Sequence, residues 1–309
     1  MIVIVCPGQG SQTPGFLAPW LELPLFRNAI EGMQTASGVD LLAHGTTSDA
    51  DTIRDTAVAQ PLIVAAGVAT LAPLLSGKSL AESGIAGVAG HSVGEITAAV
   101  AAGVFTADSG IKFVNERGQA MAKAAALEPT SMAAILGGEQ AVVEAALAEL
   151  GLEPANYNGG GQIVAAGSAT GIAALQATPP AGSRVIPLQV AGAFHTRYMV
   201  PAVAALEAYA AGVPVADPSV KLWSNAGGVQ VASGAEFVSK LVSQVKSPVR
   251  WDLCMAAVVE AGVTAILEVA PAGTLVGLAK RSMPGIETLA LKTPDQLEAA
   301  QTLISNHSN

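Results

Sequence analysis

The sequence is poor in cysteine, in charged residues and in aromatic side chains. Its two cysteines, Cys6 and Cys254, are too few for a disulfide framework or a cysteine-rich zinc site. Charged residues make up 13% of the chain and aromatic residues 4%, whereas hydrophobic residues make up 51%. This composition excludes disorder and predicts a large core in which both thiols are reduced. We expect no metal site.

Basic residues are also scarce, with 15 lysines and arginines against 24 aspartates and glutamates and a net charge of −9. A nucleic-acid partner requires a basic face, so none is expected. No phosphate-binding G-x-x-x-x-G-K-[ST] loop is present.

Membrane and export signals are lacking as well. The apolar run Ile2–Cys6 has no basic segment before it and ends at Pro7, which is typical of a first strand and not of a signal peptide. The apolar stretch 57–75 is interrupted by Pro61 and Pro73, and the part between them is too short to span ~30 Å of hydrocarbon. We expect a buried helix that starts at Pro61, no membrane partner and a cytoplasmic location.

One short motif carries the chemistry. Gly90-His91-Ser92-Val93-Gly94 lies between an apolar run of strand character and a stretch of helical composition. A G-x-S-x-G pattern in strand–turn–helix context is typical of a nucleophile elbow, in which a tight turn exposes the serine hydroxyl. The N–H of Val93 would face a developing oxyanion at the helix N-terminus. The alternative is an ordinary turn whose serine caps the helix.

A serine nucleophile needs a base, and the chain has four histidines. His307 lies in the polar tail, His44 lies in a loop, and the side chain of His91 should diverge from that of Ser92. His195 is left as the only credible base, although a buried structural histidine is the usual reading of such a residue.

Two further residues are candidates for substrate contact. Arg117 falls on or beside the apolar stripe of a helix predicted from Thr106 to about Ala126, and a buried arginine requires an anionic partner. One alternative is that this partner is a substrate carboxylate. The other is that Arg117 is structural and extends its charged group to the surface. The glycine-rich loop after the first strand brings the backbone N–H of Gln9 towards the same pocket, unless the loop is simply a turn.

The order of predicted elements indicates two subdomains. Most of the chain alternates helices and strands, as in an α/β fold. From about residue 131 to residue 189 the order is β-α-β-β-α-β, a ferredoxin-like unit inserted between the predicted nucleophile and base. We predict a large catalytic subdomain of residues 1–128 and 190–309, a small one of residues 129–189, and a substrate cleft between them.

These residues resemble one family, the malonyl-CoA:acyl carrier protein transacylases of fatty acid synthesis. The resemblance implies an α/β-hydrolase-like large subdomain that carries an inserted ferredoxin-like one. The matching segments are Pro7–Gln12, Ala59–Pro61, Gly90–Glu95, Arg117-Gly118, Ala155-Asn156, Gln162–Gly167, Gly192–Thr196, Ser247–Trp251 and Gly273–Leu275.

The resemblance also implies roles for the residues. Ser92 would be the nucleophile, His195 its base, Gln9 and Val93 the oxyanion hole through their backbone N–H groups, and Arg117 the ligand of the malonyl carboxylate. Malonyl-CoA would be a substrate, with no cofactor.

Further residues would line the cleft or orient the base. Phe194 before the histidine is typical of malonyl-selective members, and Gln60, Asn156 and Asn158 would line or brace the cleft. A backbone carbonyl at Arg250 would hold the second ring nitrogen of His195. Acyl carrier protein would be the partner of a monomeric enzyme, although that carrier is acidic and docking would need a local basic patch.

Two other functions remain open at this level. A serine hydrolase on the same elbow would need an acid between Ser92 and His195, and the glutamate-rich helix at 139–149 could in principle supply it. A non-enzymatic docking module could keep the fold. The combination of Ser92, His195, Gln9 and Arg117 favours the transferase, because a neutral-ester hydrolase does not need Arg117 and a binding module does not need all four.

Overall fold

The computed structural model describes residues 1–190 and 192–308; Ala191, in the approach to His195, and Asn309 lie outside the described residues. Within these ranges the strands are β1 (Ile2–Cys6), β2 (Gly87–Gly90), β3 (Thr130–Gly137), β4 (Glu153–Gly159), β5 (Gln162–Ser168), β6 (Ser183–Leu188), β7 (Lys221–Trp223), β8 (Val249–Arg250), β9 (Ala265–Glu268) and β10 (Glu287–Ala290). The helices are α1 (Pro24–Ser37), α2 (Leu41–Thr46), α3 (Thr56–Leu75), α4 (Gly94–Ala101), α5 (Ala107–Ala125), α6 (Gln140–Glu149), α7 (Ala169–Ala177), α8 (Val200–Ala210), α9 (Gly234–Gln244), α10 (Trp251–Glu260), α11 (Thr274–Ser282) and α12 (Leu297–His307).

The large sheet is parallel and has the strand order β10-β9-β1-β2-β7. All five residues of its central strand, β1, are buried. Ile2 and Ile4 point into the core on one face, whereas Val3 and Val5 point into a second core on the other. A continuous apolar strand is therefore explained by a sheet that is covered on both faces. The turn that follows β2 emerges beside the carboxyl end of β1.

Helix α3 differs from the sequence prediction. It begins at Thr56 and not at Pro61, because the Asp55 side chain caps it by accepting a hydrogen bond from the N–H of Ala57 at 2.8 Å. It is the one helix among residues 1–190 and 192–308 that is long and apolar enough to cross a membrane, and 78% of its apolar window is buried inside the protein. It packs between α1, α4 and α5 and is therefore a helix of the protein core.

The second sheet has the order β6-β3-β5-β4-β8. Its first four strands are antiparallel and, with α6 and α7, confirm the predicted β-α-β-β-α-β sequence of elements. Ala133 and Ile135 of β3 pack with the two helices, whereas Met132 and Ala134 join the main core. The small sheet is therefore covered by its own helices on one side and by the large part of the molecule on the other.

The last strand of this sheet comes from elsewhere in the chain. β8 contains only Val249 and Arg250, and it pairs in parallel with Asn156 and Tyr157 of β4. The sequence did not predict this strand, since two residues carry no periodicity. The pairing ties the two sheets together beside Asn156.

Candidate active site

Ser92 lies on a strained turn between β2 and α4. Its φ of 53° is in the left-handed region, which non-glycine residues rarely adopt. A side chain on Gly90 would collide with the backbone of Gly94, and one on Gly94 would collide with the carbonyl of Cys6. The two glycines thus permit the tight turn, and the serine hydroxyl faces a cleft.

His195 contacts that hydroxyl directly. Its Nε2 lies 2.7 Å from Ser92 Oγ, and its own φ of 62° is also left-handed. Nδ1 lies 2.8 Å from the backbone carbonyl oxygen of Gln244. Because a carbonyl can only accept, Nδ1 carries the proton and Nε2 is free to accept the proton of Ser92.

The imidazole is kept neutral by its surroundings. His195 is only 4% exposed. Burial, and after it the positive charge of Arg117, lowers the pKa of His195 to about 3. The ring is therefore unprotonated at neutral pH, which is the state that a general base requires.

The residue that orients His195 corrects the sequence prediction. The carbonyl of Arg250 was expected here, but that of Gln244 is the acceptor. Gln244 is the last residue of α9, where carbonyls lack the next turn's N–H groups, and its oxygen also accepts from Ser247 N at 3.1 Å. Arg250 instead forms a two-pronged pair with Asp252 at 2.9 and 2.7 Å and lies over the Tyr157 ring.

Two residues of the cleft lining matter through their backbone N–H groups. These residues are Gln9 and Val93. Neither N–H has a hydrogen-bond acceptor in the part of the chain that the structure describes. The side chain of Gln9 donates to the Arg54 carbonyl and to Thr56, at 3.3 and 3.4 Å, and so fixes the loop. Unpaired donors beside a nucleophile are what an oxyanion hole provides.

Arg117 lies one layer behind the cleft surface and is fully buried. Its Nη1 donates to Gln60 Oε1 at 2.6 Å and its Nη2 to Gln244 Oε1 at 2.8 Å, while its Nε has no partner among the described residues. Gln60 itself lines the cleft. A guanidinium held by neutral amide oxygens can exchange one of them for a carboxylate, which is a stronger acceptor.

Three residues of the site were not predicted. The Glu95 carboxyl group is 1% exposed and is the acid that faces Arg117 across the Gln244 side chain. Asn225 Oδ1 accepts a hydrogen bond from Ser92 N at 2.8 Å. The sequence did contain a signal for Glu95, because a buried arginine requires an anion and Glu95 directly follows the serine motif. Nothing local to Asn225 or Gln244 marked them.

Burial affects the two charged groups in opposite directions. It raises the pKa of Glu95, whereas the Asn225 N–H, the charge of Arg117 and the Gln244 amide lower it. Both oxygens of Glu95 accept hydrogen bonds, from Asn225 N and from Gln244 Nε2, and these contacts with the nearby Arg117 hold the group as a carboxylate. It lowers the pKa of Arg117 to about 10, against the raising effect of Glu95. Arg117 therefore stays charged at neutral pH, and it makes the region behind Ser92 attractive to an anion.

The opposite side of the cleft comes from the small sheet. Met132, Asn156 and Leu188 line it, and Phe194 closes it beside His195. Asn156 is 6% exposed and its side chain forms no hydrogen bond within the described residues. The predicted residues Ser92, His195, Gln9, Val93, Gln60, Asn156 and Phe194 thus share one cleft.

The cleft opens towards a larger groove. The groove has a volume of about 290 Å³ and shares Gln9, Leu188 and Val190 with the cleft, and Arg54 lies along it. On another side, His91 Nε2 donates to Asn158 Oδ1 at 2.8 Å, so this ring turns away from the nucleophile as expected. No group of three or more His, Cys, Asp or Glu side chains suited to a metal occurs in residues 1–190 and 192–308.

The geometry equips the site for nucleophilic acyl transfer. A serine, a neutral histidine and two residues whose N–H groups have no acceptor among the described residues surround one small cleft, and a buried cation lies behind it. These are the parts needed to form and resolve a serine ester of an anionic acyl group.

Comparisons with known proteins agree with this description. Residues 3–294 match the family model described as acyl transferase domain. The malonyl CoA-acyl carrier protein transacylase of Mycobacterium tuberculosis is 49% identical over 303 residues, which cover 98% of this chain and 100% of that protein. The transacylase of the same name from Escherichia coli is 32% identical over 308 residues, covering 97% and 98%.

Solved structures give the same result. The crystal structure of MCAT from Mycobacterium tuberculosis superimposes with a TM-score of 0.92 at 48% identity, over 97% of this chain and 99% of that one. A type II PKS acyl-carrier protein in complex with its malonyl-transacylase superimposes with a TM-score of 0.89 at 29% identity, over 98% and 99%.

Proposed function

Because the chain belongs to the acyl transferase domain family, we propose that it moves a malonyl group from coenzyme A to the pantetheine thiol of an acyl carrier protein. The observation that carries this proposal is the 2.7 Å contact between Ser92 Oγ and a neutral His195 beside a buried arginine. The product would supply extender units for fatty acid synthesis or, as the carrier complex of one structural relative suggests, for polyketide synthesis.

The first half-reaction forms the serine ester. His195 Nε2 takes the proton of Ser92 Oγ as the oxygen attacks the thioester carbonyl of malonyl-CoA. The N–H groups of Gln9 and Val93 donate to the oxyanion of the tetrahedral intermediate. The intermediate collapses with cleavage of the C–S bond, and the proton on His195 passes to the departing thiolate of coenzyme A.

The second half-reaction reverses these steps. The carrier's pantetheine thiol gives its proton to His195, and its sulfur attacks the malonyl-serine ester. Collapse breaks the bond to Ser92 Oγ, which regains the proton from Nε2. The carbonyl of Gln244 accepts from Nδ1 throughout and holds the ring in place without a buried acid. All groups come from the chain and the two substrates, so the proposal requires no cofactor.

Arg117 is proposed to recognise the malonyl carboxylate. In the free protein its Nη1 donates to Gln60 Oε1, and Gln60 stands between it and the cleft. A carboxylate that displaces the Gln60 oxygen would gain a charge-assisted pair and would also bring an acceptor near the unpaired Nε. An acetyl group has no carboxylate to place at this position.

The path of the pantetheine arm and the division of the chain belong to the same proposal. The groove that shares Gln9, Leu188 and Val190 with the cleft leads away from Ser92 and suits an extended arm.

Residues 129–189 would be the small subdomain, since strands β3 to β6 and both helices of its sheet fall there. We further propose a monomer that acts in the cytoplasm.

Intact mass spectrometry tests the proposal. Brief exposure to malonyl-CoA without carrier should add one malonyl group to the wild-type protein and none to Ser92→Ala. Addition of holo acyl carrier protein should then move the group to the carrier. An adduct on Ser92→Ala would refute the nucleophile, and release of free malonate in place of transfer would favour a hydrolase.

A further inference from the structure

Glu95 is a buried carboxyl group directly behind the nucleophile turn. It occupies the first turn of α4 and is 1% exposed. Its Oε1 accepts the backbone N–H of Asn225 at 2.6 Å, and its Oε2 accepts from Gln244 Nε2. Neither oxygen contacts the cleft. Burying a carboxyl group costs free energy unless it is hydrogen-bonded, so the two donors that contact Glu95 indicate what the group does there.

The first partner, Asn225, holds the nucleophile turn. Its Oδ1 accepts Ser92 N at 2.8 Å, and its Nδ2 donates to the carbonyl of Gly90 at 2.8 Å. The turn carries backbone strain at Ser92, and these two bonds bracket it. Fixing Asn225 therefore fixes the direction of the serine hydroxyl.

The second partner, Gln244, connects the remaining parts of the site. Its side chain accepts from Arg117 Nη2 at 2.8 Å and donates to the Ser92 carbonyl at 3.2 Å. Its backbone oxygen is the acceptor that orients His195. One residue thus touches the base, the nucleophile turn and the buried arginine.

We propose that Glu95 is a positioning residue for acyl transfer: through Asn225 and Gln244 it keeps Ser92, His195 and Arg117 in one arrangement. The inference rests on the proposed serine-ester mechanism. Only an acidic side chain satisfies both partners, since Asn225 N and Gln244 Nε2 are donors that both need an acceptor.

Replacement by glutamine shows why the acid is needed. In Glu95→Gln the new amide can accept from Asn225, but its NH2 then meets the NH2 of Gln244. If the Gln244 amide turns over, its NH2 faces the Arg117 guanidinium instead. Either way two donors oppose each other in a buried place, and the acceptor of His195 or the ligand of Arg117 has to shift.

A second buried glutamate supplies the matched control. Glu268 is 0% exposed and accepts the backbone N–H groups of Gly273, Leu275 and Val276 at 2.8, 3.0 and 2.9 Å. It caps the start of α11 and lines neither the cleft nor its groove. Glu268→Gln should therefore lower stability without a specific effect on the chemistry.

The test measures steady-state transfer of malonyl and of acetyl groups from coenzyme A to holo acyl carrier protein, together with unfolding by urea. We expect Glu95→Gln to lower kcat about 10- to 100-fold for both acyl groups while KM changes less than about threefold. Glu268→Gln should keep kcat within about twofold at a comparable loss of stability.

A double-mutant cycle checks the route of the effect. Gln244→Ala removes the side chain but keeps the backbone carbonyl that holds His195. In that background Glu95→Gln should cost less than about threefold, since the contact it breaks is already absent. If Glu95→Gln does not fold, Gln244→Ala alone must lower kcat about tenfold or more.

Several results would overturn the inference: an unchanged kcat in Glu95→Gln, an equal loss in Glu268→Gln, full additivity in the cycle, or an unchanged kcat in Gln244→Ala. These outcomes leave the ester on Ser92 intact. A wild-type protein that forms no ester would instead refute the proposed function itself.

Discussion

The two walls of the cleft are built on different principles. The large-sheet wall contains the polar groups of Ser92, His195, Gln9 and Gln60, which are held by hydrogen bonds from distant segments, and the apolar side chains of Val93, Met121 and Phe194 complete it. The small-sheet wall, formed by Met132, Asn156 and Leu188, is mostly apolar. The Asn156 side chain has no hydrogen-bond partner within the described residues, whereas the polar side chains of the large-sheet wall all have one.

This contrast assigns different tasks to the walls. Groups that must stand within a few tenths of an ångström of a reacting atom need several fixed contacts, and the large-sheet wall provides them. Groups that only shape the space, or that add one bond to a substrate, can remain free until the substrate arrives. Substitutions in the large-sheet wall should therefore lower the rate of acyl transfer, whereas substitutions in the small-sheet wall should mainly change substrate binding.

The largest effect is expected on the large-sheet wall. His195→Ala removes the base that contacts Ser92 Oγ, and general base catalysis contributes about 10²- to 10⁴-fold. Malonyl-serine formation, followed by intact mass in a single turnover, should slow by about that factor. Circular dichroism confirms folding of the variant, and a loss below tenfold would contradict the role of His195.

Arg117 lies behind the same wall and should separate two substrates. A two-pronged charge-assisted pair contributes about 1.5–3 kcal/mol per hydrogen bond, so Arg117→Ala should lower malonyl transfer ~10- to 1,000-fold while acetyl transfer holds steady or rises. Arg117→Lys should restore activity only in part, because a point charge cannot replace the planar fork. Equal losses for malonyl and acetyl would mean that the arginine is structural.

Asn156 tests the small-sheet wall. If its free amide binds substrate, Asn156→Ala should lower kcat/KM for malonyl-CoA by about 2- to 12-fold, the worth of one hydrogen bond. Thermal stability should stay close to that of the wild type, since the side chain loses no partner in the protein. A loss as large as that of His195→Ala would erase the distinction between the walls.

The smallest effect concerns pH. Burial and Arg117 lower the pKa of His195 to about 3, so its base form is present well above that pH. A histidine with the ordinary pKa would lose about 30-fold of its base form at pH 5. The rate of Ser92 acylation should instead change less than about threefold between pH 7 and pH 5. A decline that follows a pKa near 6.5 would show that His195 is hydrated.

Much of this protein was determined by sequence patterns of short range. The glycines around Ser92 indicate a tight turn, because a side chain on Gly90 or Gly94 would collide with the backbone of Gly94 or Cys6. Elimination among four histidines leads to His195, and the β-α-β-β-α-β order of the small sheet follows from periodicity. These features depend on residue type and spacing alone.

Only the tertiary structure decided the rest. The carbonyl that orients His195 was assigned to Arg250 and belongs to Gln244, because any residue has a backbone carbonyl and only the end of α9 leaves this one free beside the ring. The two-residue strand β8 carries no periodicity. The contacts of Glu95 with Asn225 and Gln244 join segments more than a hundred residues apart. Spacing along the chain does not encode such contacts; packing of the two sheets creates them.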